Sequence, residues 1–367
     1  MNRSMVAASV AGAGLFVGLC ALPNQGTPPA AAGTQVNTTD AEGGNGVSGG
    51  GSEAPGPANS VPHAKGVPTA NQVLAALRAS GVKLVVEPGW NLEWDLPNRR
   101  ADWRPIGVML HHTGAGVPGN APSRQFLLDY RSPSRLTRYD GLTGGRRGCH
   151  FLIGRDGTVY FMRATRGPHA GTGGPMQVGR DTVTADNGNG RFFGIEIESA
   201  GYSSTIHAGS NFIDGFGAEQ VNATTKVTAA LLNLINQGPD HIVDHKAWAP
   251  RRKVDLNGTM LAEFRARTTR LLTPPAVTGL RVAVGPRPGE LRAVWRAAPR
   301  VGGTKNLYLG RLSAPNSTTR WSGWLPIDGT SVGLVSMKPG NVYRIQIQTV
   351  NSFGRSKVVT LAYRYPG

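Results

Sequence analysis

His245-Lys246-Ala247-Trp248-Ala249-Pro250-Arg251-Arg252-Lys253-Val254-Asp255 places an imidazole and a carboxylate on either side of a proline. Pro250 forbids one continuous helix, so the stretch must bend and can aim His245 and Asp255 at one point. Neutral imidazole plus carboxylate is a zinc donor set. A third donor is offered by His111 or His112, which end the apolar run of Val108-Met109-Leu110-His111-His112-Thr113-Gly114. Read alone, His245 serves equally well as a hydrogen-bonded core histidine and Asp255 as a helix cap. Glu196 and Glu198 share one face of the apolar stretch Phe192-Phe193-Gly194-Ile195-Glu196-Ile197-Glu198. An acid inside such a strand is costly unless it is paired or functional.

The elements that would position these groups follow from periodicity. Residues 106–110 read as a buried strand delivering His111, and Ile242-Val243 as the end of another. Thr69 with Gln72 forms a capping box for a helix carrying Val73, Leu74 and Leu77 and ending at Gly81. Ser123 is expected to cap a helix with Phe126, Leu127 and Tyr130. Asp156-Gly157 between apolar runs predicts a hairpin over 150–161. Val227, Ala230, Leu231, Leu234 and Ile235 form a helical stripe, and a last helix is expected over 259–272. The irregular alternation implies an α/β domain with a mixed central sheet and flanking helices. The Gly- and Asp-rich stretch 171–190 reads as a plain surface loop, with a substrate-groove loop as the alternative.

The ends of the chain read differently. An uncharged apolar run over 5–22, closed by Pro23 and followed by Ala30-Ala31-Ala32, gives residues 1–32 the pattern of a signal peptide, with a signal anchor as the alternative. Residues 33–68 are rich in Gly, Ser and Pro and read as a disordered linker. The expected localisation is secreted or envelope-associated. Residues 69–273 form the first folded domain. Pro274-Pro275 opens a second, 274–367, in which 278–282, 291–295, 342–350 and 358–363 read as strands of one β-sandwich. Trp295 is placed in its core, and Trp321 and Trp324 as core or edge residues, with stacking on sugar rings as the alternative.

The formal net charge is +17, from 39 Lys and Arg against 22 Asp and Glu. Such a balance suits a polyanionic partner. With no basic run or RNA-binding aromatic signature, nucleic acid is the weaker choice and no nucleic-acid partner is expected, beside anionic lipid or an anionic cell envelope with its cell-wall polymers. Of the two cysteines, Cys20 lies in the export segment and Cys149 is left alone, so no disulfide framework is available.

The order of these motifs resembles the zinc-dependent N-acetylmuramoyl-L-alanine amidase family, which includes peptidoglycan recognition proteins. The matching pieces are 108–114, Cys149-His150-Phe151-Leu152-Ile153-Gly154-Arg155-Asp156-Gly157-Thr158-Val159, His169-Ala170-Gly171, 194–198 and 245–255. The resemblance implies Zn2+ held by His111, His245 and Asp255, with His112 packed beside the site. It implies Glu196 as general base, Lys253 as the cation facing the developing oxyanion, His150 as a structural residue and His169 as a substrate-groove residue. Cys149 stands where several relatives have tyrosine and reads as a buried small thiol, since adjacent strand residues cannot form a Cys–His dyad. The implied activity is cleavage of the amide between N-acetylmuramic acid and L-alanine of peptidoglycan, in lysis or remodelling, by a monomer. The rivals are a non-catalytic peptidoglycan-binding module and a stem-peptide endopeptidase on the same scaffold. The tail resembles a fibronectin type III domain, on Trp295 and on Pro339-Gly340-Asn341-Val342-Tyr343.

Overall fold

The computed structural model describes residues 66–91, 103–114, 117–129, 147–199, 216–256, 258–284, 291–334 and 337–367. The export segment, nearly all of the linker and Tyr130 lie outside them. Among the described residues no helix is long and apolar enough to cross a membrane.

Helix α1 (Ala70–Ala79) has the expected capping box: Thr69 Oγ1 accepts from the Gln72 N–H at 3.3 Å and Gln72 Oε1 from the Thr69 N–H at 2.8 Å. There follow β1 (Leu84–Val86), β2 (Gly107–His112), α2 (Arg124–Leu128), β3 (Phe151–Ile153), β4 (Val159–Phe161), β5 (Met176–Val178), β6 (Asp181–Val183), α3 (Gly188–Arg191), β7 (Phe192–Ile197), α4 (Ala218–Leu234), β8 (Ile242–Asp244), α5 (His245–Trp248) and α6 (Gly258–Leu272). Ser123 does not cap α2. Its N–H and hydroxyl donate instead to Glu198, at 3.1 and 2.9 Å, so a buried acid outcompetes the helix end.

Six strands form one sheet in the order β1-β4-β3-β7-β2-β8, parallel except for the β3–β4 hairpin. Alternation divides its side chains. Val108, Leu110, Phe193, Ile195, Ile197 and Ile242 enter a core with α1, α4 and α6. Met109, Phe192 and Val243 enter a second core on the other face. Burial of each such side chain contributes about 1.5–3 kcal/mol.

The second core corrects the reading of 171–190 as a plain surface loop. That stretch folds into the β5–β6 hairpin and buries Val178 and Val183 beside Trp248. It packs so closely that a Cβ on Gly173, Gly174 or Gly188 would come within 3.0 Å of the Trp248 side chain. The short strands here, Met-Gln-Val and Asp-Thr-Val, are too brief to read from sequence.

The C-terminal sandwich has β9 (Thr278–Val284), β10 (Leu291–Arg296), β11 (Leu307–Leu312), β12 (Leu325–Ile327), β13 (Ser331–Leu334), β14 (Val342–Val350) and β15 (Val359–Arg364). They form antiparallel sheets β13-β10-β9 and β12-β11-β14-β15. Trp295, Tyr308, Ile345 and Ile347 fill the space between them. Trp321 and Trp324 are half-buried outside that core.

The sandwich is seated on the first domain. Phe353 is fully buried against Ala229 and Ala230 of α4 and Leu271 of α6. A Cβ on Gly354 would lie 2.0 Å from the Leu272 carbonyl oxygen, and one on Gly302 would lie 2.7 Å from Phe353.

Candidate metal centre

Parallel pairing brings the site residues into one row. His111 of β2 is in register with Glu196 of β7, and Leu110 with Asp244, which His245 follows. Continuing the alternation past Met109, Gly194 and Val243 puts His111, Glu196 and His245 on the face of the second core. The row lies at the C-terminal ends of the parallel strands, where open α/β sheets place their ligands. Asp244 accepts from the Ala247 N–H and so starts α5 immediately at His245. The chain then turns at Pro250, and the Lys246 N–H donates to the Asp255 carbonyl at 2.5 Å, returning Asp255 to His245.

His111, His245 and Asp255 are all buried, and their ligand atoms lie within 4.8 Å of one another. The two Nδ1 atoms are 2.7 Å apart. Asp255 Oδ2 is 3.7 Å from that of His111 and 3.4 Å from that of His245. His112, half-buried next door, is not part of the cluster.

The hydrogen bonds fix which nitrogens carry protons. His169 Nε2 is 2.9 Å from the Phe192 carbonyl oxygen, which can only accept, so Nε2 is protonated. Burial holds the His169 ring's pKa down to about 3, so it is neutral and its Nδ1 is an acceptor. His111 Nε2, 3.0 Å away, must donate to it. Burial, with the neighbouring His245 and His169, also holds His111 well below the usual histidine range, leaving a lone pair on Nδ1. His245 Nε2 donates to the Ala170 carbonyl at 3.0 Å; burial keeps that ring neutral too, against the pull of Asp255. Three lone-pair groups therefore converge with no proton among them. They repel one another unless a cation sits between them, and an N2O set of this kind suits zinc.

His169 stands behind His111: it is 7% exposed and both its nitrogens are engaged. It rests on Gly194, where a Cβ would lie 2.4 Å from its ring. His150 is structural, as expected. Its Nδ1 accepts from the Gly194 N–H at 2.9 Å and its ring stacks on Trp103 at 5.1 Å. His169→Leu should weaken metal binding about 10–100-fold, the usual cost of losing an outer partner of a ligand histidine. A zinc-chelator competition measures this; unchanged affinity would show that His111 needs no such partner.

Burial first, and then the charge of Asp255, pushes the Glu196 pKa up to about 8, with Lys253 acting in the opposite sense. Glu196 Oε2 is buried and has no hydrogen-bond partner among the described residues. The folded chain thus holds this proton to higher pH than the unfolded chain. The stability it contributes is full below the ordinary carboxylate range and is lost as pH rises through about 8. In metal-stripped protein, the melting temperature of Glu196→Gln should accordingly gain on wild type between pH 5 and 8. A gap independent of pH would contradict a buried protonated acid.

Half-buried Lys253 acts electrostatically on His111, His245 and Glu196. Burial alone would raise Asp255, but His245 and the cationic surroundings bring it below its usual value. Cys149 takes no part. It is buried with its sulfur 3.7 Å from that of Met162, and burial pushes its thiol well up. Sequence reasoning missed the main-chain acceptors Ala170 and Phe192. It also missed Arg252, whose guanidinium donates to the Ala170 and Thr172 carbonyls at 2.9 and 2.7 Å and locks the hairpin's base beside His245.

Residues 102–258 match the N-acetylmuramoyl-L-alanine amidase family, Amidase_2. Among solved structures, a selenomethionine derivative of AmpD is 23% identical over 50% of this chain and 93% of its own, with a TM-score of 0.34. FN3tt is 23% identical over 25% of this chain and 95% of its own, at 0.21. The Clostridium perfringens spore cortex lytic enzyme SleM is 18% identical over 25% of this chain and 28% of its own, at 0.19. No curated protein matches the chain. Residues 102–258, which contain the histidine–carboxylate cluster, match the N-acetylmuramoyl-L-alanine amidase model, and an antiparallel two-sheet β-sandwich follows them in the same chain.

Proposed function

We propose that this chain is a zinc hydrolase that cuts the amide between the lactyl group of N-acetylmuramic acid and the first L-alanine of the peptide stem. The observation that carries the reading is the convergence of three unprotonated donors, His111 Nδ1, His245 Nδ1 and an Asp255 oxygen, on one buried point. When bound there, zinc supplies Lewis acidity and lowers the pKa of a water at its open position. Glu196, whose Oε2 has no hydrogen-bond partner among the described residues, accepts the proton of the attacking water and returns it to the departing nitrogen. Lys253 opposes the negative charge that grows on the carbonyl oxygen. The buried histidines, held neutral, keep competing protons out of the cluster.

Mass spectrometry of digested wall tests the bond. Glycan strands freed of peptide support the amidase; cleaved stems with alanine still on the sugar point to an endopeptidase, and intact wall points to a binding module.

The wider setting forms part of the same proposal. The apolar run over 5–22 exports the protein to the envelope, where its positive charge holds it against anionic wall polymers. Exposed charges are screened within about 8 Å at physiological ionic strength, so this attachment weakens with salt. Deleting 274–367 should reduce pull-down on whole sacculi at low salt while sparing hydrolysis of soluble muropeptides. Equal, salt-independent binding by both forms would reduce the sandwich to a spacer.

A further inference from the structure

Arg311 lies on the outward face of the sheet β12-β11-β14-β15, in a setting the amidase reaction does not use. Its guanidinium carbon is 4.7 Å from the ring centre of Trp321 and 4.4 Å from that of Trp324. Trp321 is fixed in turn. Trp321 Nε1–H donates to the Thr318 carbonyl at 3.1 Å, and Ser322, between the two tryptophans, accepts from the Leu312 N–H at 3.0 Å. Arg311 Nε–H donates to Gln346 Oε1 at 2.7 Å, and Gln346 Nε2 donates to Thr360 Oγ1 at 3.1 Å. Register sets these side chains opposite one another, Arg311 with Gln346 and Gln346 with Thr360. A polar row thus crosses three strands and ends in a guanidinium against two aromatic rings.

The outer edge of that guanidinium has no acceptor among the described residues. Its Nε is used and its two terminal nitrogens are not. A cation held this way normally has an acid nearby, but residues 274–367 hold thirteen Lys and Arg against two acids. One, Asp328, is paired with Lys305 at 3.1 Å; the other, Glu290, lies outside the described residues. Arg344 adds charge at the same turn, its guanidinium donating to the Ser317 carbonyl at 2.9 Å, and the Arg320 main-chain N–H donates to Ser317 Oγ. Leu325, next to Trp324, is 60% exposed. A fixed planar fork of donors suits a carboxylate or phosphate, and aromatic faces with exposed apolar surface suit the C–H face of a sugar ring.

We propose that this edge of the sandwich binds an acidic polysaccharide, with a ring carboxylate on Arg311 and the pyranose face on an indole. A polyol phosphate would supply the charge without the ring, and a neutral glycan the ring without the charge. The proposal goes beyond attachment by net charge, and it stands or falls independently of amide cleavage.

The test uses the full chain at physiological salt. Oligogalacturonate is titrated by calorimetry and by tryptophan emission, with inorganic polyphosphate and dextran as comparisons. Oligogalacturonate should bind and shift the emission, with dextran silent and polyphosphate weaker. Arg311→Lys keeps the charge and loses the fork, so its affinity should fall about tenfold. Gln346→Leu, which frees the guanidinium without touching its charge, should weaken binding in the same direction. Hydrolysis of a soluble muropeptide by both variants should match wild type, which checks their folding and reports separately on the amidase. Absence of oligogalacturonate binding, equal binding by Arg311→Lys, or equal affinity for polyphosphate would each overturn the proposal.

Discussion

Asp255→Ala protein, loaded with zinc and dialysed, is expected to hold none and to leave peptidoglycan intact. His245→Ala should behave alike, because each removes one of three donors and the remaining two offer no closed side to the ion. The structure adds a reason particular to Asp255. It is the only negative donor, so its loss leaves two neutral imidazoles to offset the cost of stripping water from a divalent ion. Zinc per chain by elemental analysis is the primary measurement, since it needs no turnover. His111→Ala belongs to the same set, while His112→Ala should keep its zinc. The opposite result within that pair would show that the tautomer chain through His169 holds the wrong ring.

Glu196→Gln should bind zinc normally and lose about 10²–10⁴-fold in kcat, the range a positioned general base contributes. The amide keeps the size and burial of the side chain and removes only its ability to take a proton. The elevated pKa bears on this role. Burial and Asp255 disfavour the charge, and Lys253 opposes them. A divalent cation beside Asp255 would act with Lys253, so the carboxylate form is favoured in the metal-loaded protein. Full activity in Glu196→Gln, with zinc retained, would remove Glu196 from the chemistry.

How much of this was legible beforehand depended on where the information sat. His111 and His112 end an apolar run, and His245 and Asp255 straddle Pro250, so type and spacing brought these four forward, and the family resemblance chose His111 within the pair. The outer layer was invisible because it consists of main-chain oxygens, at Ala170 and Phe192, and of an absence, the missing side chain of Gly194. His169 was noticed, but its sequence neighbours do not disclose that its ring backs onto His111. In the sandwich, Trp295 and the long strand β14 announced themselves by alternation. Strand β11 did not, because Gly310 interrupts it where a Cβ would strike Ile327 at 2.5 Å.

The seat of Phe353 has a mechanical consequence. Helix α6 begins at Gly258, shortly after Asp255, and ends at Leu272, against the turn that carries Phe353 and Gly354. Fifteen helical residues make a strut of about 22 Å. Because the joint at its far end is filled with side chains, tension applied to the sandwich would pass along this strut toward the loop of Asp255 instead of being absorbed by a slack linker.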